Sequence, residues 1–320
     1  MKSFYDGKEI LLLGGTGSLG KALLYKLKKQ FPKIKGVRIF SRDEYKQWQL
    51  KQAIETDCIG ANVSFLIGDV RDADRLRRAF TGVDIVVNCA AMKHVGACET
   101  NPIEAVQTNI GGAENVISAA LDCQVERVLH VSTDKAVYPV NLYGATKAVT
   151  ERLFIDASVY RGRNYKTQFA CVRYGNVFGS RGSLVEMIRR ADGKSIPITD
   201  KGMTRFFITL DMVTDFIIGR IEDMDSGMIY VPAMKAIKIV DLIEALAPGN
   251  PTHEIGIQKG EKLHECLVSS EEMRAAFIGD DMFEIMQHDL TSTVSPAYTS
   301  EMAESKPETR LDKETLERWA

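Results

Sequence analysis

No stretch of this 320-residue chain approaches the length of an apolar membrane span. The N-terminus is charged from the start (Lys2, Asp6, Lys8, Glu9), and its apolar run, Ile10 to Leu13, is too short for a secretory h-region. No leader and no membrane partner are expected, and the cytoplasm is the expected location. Charge of one sign is lacking as well: 41 Lys and Arg against 43 Asp and Glu leave a net charge of −2. Electrostatics therefore give no reason to expect nucleic acid as a partner, and any phosphate binding is local. The six cysteines, Cys58, Cys89, Cys98, Cys123, Cys171 and Cys266, include no close pair and are read as reduced, buried thiols. The five histidines are scattered, so no metal site is expected. There is no internal repeat.

What is present is ordinary for a soluble globular protein: 45% hydrophobic and 26% charged residues, enough for one large domain or two unequal ones. The first two-thirds alternates apolar runs with amphipathic segments, as βαβ units do. Strands are expected at Glu9–Leu13, Gly36–Phe40, Val63–Ile67, Ile85–Asn88, Arg127–Val131 and Gln168–Arg173, with helices at Leu19–Gln30, Glu44–Ile54, Ala73–Ala79, Pro102–Leu121 and Leu142–Tyr160. The strands are nearly continuously apolar, which fits a parallel sheet covered on both faces. The expected fold is α/β: a Rossmann-type doubly wound parallel sheet over residues 1–180, carrying the catalytic residues, with a smaller α+β substrate-binding lobe over 181–290. That lobe is read from shorter elements at Ser183–Ala191, Ile196–Ile198, Asp211–Ile221, Met228–Val231 and Ile239–Leu246. Residues 291–320 read as a polar tail, extended from Thr291 to Pro307 and returning to pack through Leu311, Leu316 and Trp319.

Leu13-Gly14-Gly15-Thr16-Gly17-Ser18-Leu19-Gly20 follows a strand and opens a helix. Gly14, Gly17 and Gly20 allow a tight turn, close approach of a pyrophosphate and close helix–strand packing. The helix start offers N–H groups to the phosphates, with Thr16, Ser18 and Leu19 in the same turn. An acid ending the second strand would select NAD. Here Phe40-Ser41-Arg42 stands instead. Ser41 and Arg42, with Lys46, suit the 2′-phosphate of NADP; the competing reading makes Arg42 a solvated surface charge. After the third strand, Asp69 is read either as an adenine contact, with Val70 beside it, or as a helix N-cap. Ala90 and Ala91 leave room for backbone to pass the cofactor.

Tyr143 and Lys147 are four apart, on one helix face. A lysine ammonium there lowers the phenol pKa, so Tyr143 moves a proton near neutral pH and Lys147 tunes it. Upstream, Ser132-Thr133-Asp134-Lys135 adds a candidate acid and base. An enzyme that only moves a hydride needs no such pair, so a second chemical step is expected. The plain alternatives are an N-cap for Asp134 and a surface role for Lys135.

Gly14 to Gly20, Asn88 to Ala91, Ser132, Tyr143 and Lys147 resemble an extended short-chain dehydrogenase/reductase. More narrowly, Phe40-Ser41-Arg42-Asp43-Glu44, Met92-Lys93-His94-Val95, Glu99-Thr100-Asn101-Pro102, Ser132 to Ala136, Asn141 to Lys147, Val172 to Val177, Met203 to Phe206 and Gly260 to Glu265 resemble the UDP-N-acetylglucosamine 4,6-dehydratases. The retaining branch of that family typically has Met at the tyrosine position and a membrane anchor. Tyr143 resembles the inverting branch, which feeds pseudaminic-acid-type synthesis.

The resemblance implies bound NADP, UDP-N-acetylglucosamine as substrate and a homo-oligomer. It implies oxidation at sugar C4, loss of the C5 proton and C6 hydroxyl as water, return of hydride to C6, and a proton delivered to the opposite face of C5. Tyr143 would be the base at the C4 hydroxyl, Thr133 a hydrogen bond to the C4 oxygen, Asp134 the acid at the C6 oxygen, and Lys135 the C5 base with a lowered pKa. Between Lys135 and Tyr143 the sequence does not choose for any given proton. Lys93, Asn176, Arg205 and Glu261 are the expected UDP-sugar contacts. Before Gly260 the family has Arg-Pro where this chain has Gln258-Lys259; Lys259 would then replace the Arg, as a point charge in place of a fork. His94 is read evenly as a packed loop histidine. The rivals are a C5-retaining dehydratase, a UDP-sugar 4-epimerase and a non-catalytic NADP-binding sensor; an epimerase has no use for Asp134 and Lys135.

Overall fold

Ile10, Leu11, Leu12 and Leu13 have no exposed surface. An apolar run buried on both faces belongs inside a covered parallel sheet, and there β1 (Glu9–Leu13) lies. The structure, a computed structural model, describes residues 3–160, 166–180, 182–279, 282–286 and 296–319. Beside β1 run β2 (Gly36–Ser41), β3 (Val63–Ile67), β4 (Ile85–Asn88), β5 (Arg127–Val131) and β6 (Gln168–Val172), all parallel, in the order β3-β2-β1-β4-β5-β6. The order reverses between β1 and β4, which opens a crevice at their carboxyl ends, the usual ligand site of such a sheet.

The connecting helices are α1 (Ser18–Gln30), α2 (Glu44–Thr56), α3 (Ala73–Phe80), α4 (Val95–Thr100), α5 (Pro102–Val106), α6 (Gly112–Asp122) and α7 (Leu142–Tyr160). The helix expected over Pro102–Leu121 is α5 and α6 joined through a π turn, Gln107–Gly111. Such turns gather at functional sites, and this one aims Asn109 inward (below).

Beyond β6 come β7 (Asn176–Val177), α8 (Leu184–Arg189), β8 (Ile196–Ile198), β9 (Thr204–Ile208), α9 (Leu210–Asp223), β10 (Met228–Pro232), β11 (Lys235–Lys238), α10 (Ile239–Leu246), β12 (Thr252–Glu254), β13 (Cys266–Val268), β14 (Ala276–Ile278), β15 (Met282–Met286), β16 (Tyr298–Thr299), α11 (Ser300–Ser305) and α12 (Lys313–Trp319). The lobe expected over 181–290 is interleaved with the sheet. β10 lies parallel to β6, and β15 and β14 extend the sheet antiparallel to nine strands. α9 packs on α1, tied by Lys26 to Asp211 and Asp215, 2.6 Å each. The lobe proper is the β11-β9-β7 sheet with its own apolar core, which includes Val185, Ile196, Phe207 and Leu242.

The expectation of an extended polar tail is corrected for the part described; residues 291–295 lie outside it. β16 pairs with β13, and Tyr298 is buried against Phe206 and Phe283, its hydroxyl donating to the Met234 carbonyl at 2.8 Å. Leu311 and Leu316 do enter the lobe core, and Trp319 meets Phe178 edge-on at 5.7 Å. The cysteines are all free, but Cys58 is exposed and Cys89 and Cys123 are half-buried, so only three of the six fit the reading of buried thiols. No helix among the described residues is long and apolar enough to cross a membrane.

Arg173 at the end of β6 is 1% exposed and donates to Glu151 at 2.7 and 2.9 Å and to Glu272 at 2.7 and 2.9 Å. Arg173→Ala leaves two buried carboxylates uncompensated. The expected cost is about 3–5 kcal/mol of folding stability, read by urea denaturation.

Candidate active site

The loop after β1 is shaped by its glycines. Gly14 has φ +72°, and a Cβ there would lie 3.0 Å from the backbone of Cys89 and Ala90, where β4 ends. At Gly20 a Cβ would come within 2.5 Å of Gly15 Cα, so α1 packs directly on its own loop. Gly17 occupies the N-cap of α1, and no side chain caps the helix from that position. A crevice-facing helix start with a backbone-tight glycine loop fits a dinucleotide pyrophosphate. Thr16 is buried beside it.

At the end of β2, Ser41 is buried and its Oγ accepts from Gln47 Nε2 at 3.0 Å. Arg42 keeps 59% of its side chain exposed, 3.7 Å from Asp69. Lys46, expected near the cofactor, is instead drawn 2.7 Å from Asp43. Asp69 is not the N-cap of α3; that place belongs to Asp72, which accepts from the Arg75 N–H. Asp69 instead accepts from the Arg71 N–H and guanidinium. Burial works to raise its pKa, but Arg71 and Arg42 outweigh it and hold the carboxyl below the usual value. Val70 is buried, and its carbonyl accepts from Asn115.

The turn that carries Thr133, Asp134 and Lys135 follows β5. Ser132 N–H donates to the Val172 carbonyl and Asp134 N–H to the Tyr174 carbonyl, so the chain continues alongside the end of β6 before a 3₁₀ turn, Asp134–Ala136. α7 begins where Asn141 Oδ1 accepts from the Gly144 N–H at 2.7 Å and Glu99 from the Leu142 N–H at 2.7 Å. Both satisfy donors that a helix start leaves open. The other face of Asn141 donates to the Gly260 carbonyl at 2.7 Å, bringing the 258–261 turn to the same end of α7. From the π turn, Asn109 bonds both the N–H and the carbonyl of Met92 and donates to Thr146 Oγ1. It joins the Lys93 loop to α7.

Thr133, Asp134, Lys135 and Tyr143 are brought together as expected. Asp134 has no exposed surface; its Oδ1 accepts from Thr133 Oγ1 and Lys135 Nζ, each at 3.0 Å, while Oδ2 has no hydrogen-bond partner among the described residues. Burial raises the pKa of Asp134 against the pull of Lys135, and Glu265 adds to the rise. Burial thus moves Asp134 towards the range of a proton donor, while the 3.0 Å ion pair with Lys135 opposes that move. Asp134 also opens the 3₁₀ turn, but Thr133 is its N-cap.

Two expectations about lysines are corrected. Lys135 does not have a lowered pKa. Burial works in that direction, but Asp134 at 3.0 Å and Glu265 at 3.4 Å outweigh it and raise the pKa, so the side chain is an ammonium. Lys147 does not tune Tyr143. Its amine turns under β5, 2.7 Å from His130 Nε2 and 2.6 Å from the Val131 carbonyl, and burial brings its pKa down to about 8. Tyr143 is pushed up to about 12 by burial; Lys135 and a hydrogen bond with Thr133 oppose the rise.

Sequence reasoning missed three residues here. His130, held well below its usual pKa by burial and by Lys147, bridges Asn88 and Lys147 and stacks on Phe154. Glu265 is 3% exposed between Lys135 and Lys262, and Lys262 also donates to the Val137 carbonyl. Of the expected substrate contacts, Lys93, Lys259 and Glu261 are exposed and Asn176 is half-buried on β7. Arg205 is buried on β9, and its guanidinium donates to the carbonyls of Thr204, Lys262 and Leu263 rather than facing outward for a diphosphate. His94 is exposed at the start of α4, not packed.

A reversed parallel sheet, a glycine cradle and a Thr-Asp-Lys turn beside Tyr143 and Lys147 define an extended short-chain dehydrogenase/reductase. Within that class the chain belongs to the family described as polysaccharide biosynthesis protein, which matches residues 10–287. It is 43% identical over 284 residues to a UDP-N-acetylglucosamine 4,6-dehydratase (inverting) of Campylobacter jejuni, covering 88% of this chain and 83% of that protein. It is also 41% identical over 277 residues to a UDP-glucose 4-epimerase of Rickettsia conorii, covering 84% and 80%. Among solved structures, Pen from Bacillus thuringiensis superposes with a TM-score of 0.90 at 36% identity, covering 99% of this chain and 97% of that one.

Proposed function

We propose that the protein is an NADP-dependent UDP-N-acetylglucosamine 4,6-dehydratase that inverts C5. Its product would be UDP-2-acetamido-2,6-dideoxy-β-L-arabino-hexos-4-ulose, made for surface-glycan synthesis of the pseudaminic acid type. The observation that carries this reading is Asp134: a buried carboxyl with raised pKa, beside Lys135 and Tyr143. Elimination of water needs an acid at the C6 oxygen; epimerisation at C4 does not.

The chemistry that bound NADP would supply is uptake of hydride from sugar C4 and its return to C6. Gly14, Thr16, Gly17, Ser18, Leu19 and Gly20 would hold its phosphates, Ser41 and Arg42 its 2′-phosphate, and Asp69, Val70, Ala90 and Ala91 its adenine side and path. Tyr143 handles the proton of the C4 hydroxyl, with Thr133 bonded to the same oxygen, and Lys147 turns from His130 to the nicotinamide ribose. Asp134 protonates the leaving C6 oxygen. Lys135, an ammonium at rest, would pass a proton to Asp134 3.0 Å away; the neutral amine then takes the C5 proton, and Tyr143 returns the C4 hydroxyl proton to the opposite face of C5. Lys93, Asn176, Lys259 and Glu261 serve the UDP-sugar, and Arg205 braces the 262–263 backbone. Cytoplasmic work as a homo-oligomer completes the reading; exposed Ile103 and Val106 on α5 and Val149 on α7 support self-association.

Arg42→Ala is expected to weaken NADP binding about tenfold or more, the loss of one charge-assisted phosphate contact, and to leave NAD binding almost unchanged. Fluorescence titration with both nucleotides checks it; equal losses would remove Arg42 from the 2′-phosphate. The function itself is tested by incubating UDP-N-acetylglucosamine with the protein and no added reductant. A nucleotide sugar lighter by one water supports the dehydratase. An isomer of unchanged mass supports the 4-epimerase, the second reading, which the 41% identity to the Rickettsia relative favours.

A further inference from the structure

The catalytic turn touches a residue that does not belong to it. Glu265 immediately precedes β13, on the far side of the cleft from α7 in sequence, yet its carboxylate lies 3.4 Å from Lys135 Nζ and 3.1 Å from Lys262 Nζ. Its backbone is clamped on both sides by the C-terminal segment: Glu265 N–H donates to Ser300 Oγ at 2.9 Å, and Ser300 N–H to the Glu265 carbonyl at 2.8 Å. Ser300 Oγ is in turn 2.7 Å from Thr204 Oγ1 on β9. The backbone of Glu265 is thus fixed, and its buried carboxylate is left between the two lysine ammoniums.

We propose that Glu265 is the positioning residue of the site: it holds Lys135 against Asp134 and sets the charge that both carry. This rests on the dehydratase reading for its consequence in catalysis, but not for its geometry. The charged groups facing Lys135 are Asp134 from its own turn, Glu265 from the β13 edge and Arg205 from β9, with Tyr143 from α7 coupled to it and Lys262 on the far side of Glu265. The negative charge of Glu265 raises the pKa of Lys135 and also that of Asp134; its own pKa, which burial works to raise, is brought down to about 2 by Lys135, Lys262 and Arg205. Both catalytic groups therefore depend on Glu265 with the same sign. Removing its charge lowers both pKa values, whichever group gives or takes a given proton.

Glu265→Gln keeps the shape and loses the charge. Two readouts are compared with wild type and with Glu265→Asp, which keeps the charge. The first needs no substrate: competitive acetylation of Lys135 by acetic anhydride, followed by mass spectrometry across pH against the exposed Lys313 as internal standard. The half-labelling pH of Lys135 is expected to fall by about one unit or more in the Gln variant and to stay near wild type in the Asp variant. The second is the pH–rate profile for dehydration, whose optimum is expected to move to lower pH by a similar amount. Lys262→Met tests the same point from the other side, since Glu265 is then shared only between Lys135 and Arg205 and the half-labelling pH rises.

A Gln variant that is slower at every pH, with labelling midpoint and optimum unmoved, would overturn the proposal and leave Glu265 a structural residue. So would an unmoved midpoint in Lys262→Met, should the Gln variant fail to fold. A shifted midpoint in a protein whose wild type leaves UDP-N-acetylglucosamine untouched supports Glu265 as stated and sinks the substrate reading alone.

Discussion

Asp134→Asn is expected to slow dehydration by about 10²–10⁴-fold, the range for losing a positioned general acid. The substitution is nearly isosteric, and the retained oxygen still accepts from Thr133 and Lys135. What disappears is the capacity of the buried Oδ2, the oxygen without a partner among the described residues, to carry and give up a proton. Oxidation at C4 does not use that proton, so the variant should accumulate reduced cofactor on mixing with substrate while releasing little product. Stopped-flow absorbance of the reduced nicotinamide checks this. Loss of cofactor reduction together with loss of product would instead place Asp134 at the C4 step. Full turnover would remove it from catalysis.

Gly144→Ala is expected to reach the same site through packing alone. A Cβ at Gly144 would lie 2.2 Å from the Lys135 carbonyl oxygen and 3.1 Å from its carbon. Neither atom is the end of a flexible side chain, so either the first turn of α7 or the 3₁₀ turn has to move. Overpacking of this kind costs about 1–3 kcal/mol or more. A displacement of about 1 Å in a catalytic group costs about 10²-fold in rate. Thermal denaturation and turnover with UDP-N-acetylglucosamine check both. A variant as stable and active as wild type would mean that Lys135 is not held by this contact.

The parts of the fold that were legible are those with an internal period. β1, β3, β4 and β5 and α7 stand where their apolar runs and helical spacing place them, to the residue. The sheet assignment of Met228–Pro232 was not legible, because an apolar run reads the same in a lobe as beside β6. β9 was hidden by Arg205, a charge inside a buried strand whose partners are carbonyls of a distant segment. In the site, the spacing of Tyr143 and Lys147 shows a shared face but not where a flexible lysine points. Burial under β5, with the Val131 carbonyl and the His130 ring there, decided that. The charge of Lys135 was only half in reach: Asp134 is its neighbour in sequence, but Glu265, which adds to the rise, is brought near only by the folded chain.

The central claim is that a protonated Asp134 beside Lys135 and Tyr143 turns an oxidised sugar towards loss of water. It is tested most directly by proton NMR of UDP-N-acetylglucosamine incubated with the protein in deuterated water, without added reductant. The account predicts a new C6 methyl signal, loss of the C4 proton, deuterium at C5 and ring couplings of the inverted sugar. A retained C6 hydroxymethyl group with an inverted C4 proton, or an unchanged spectrum with NADP bound, would contradict it.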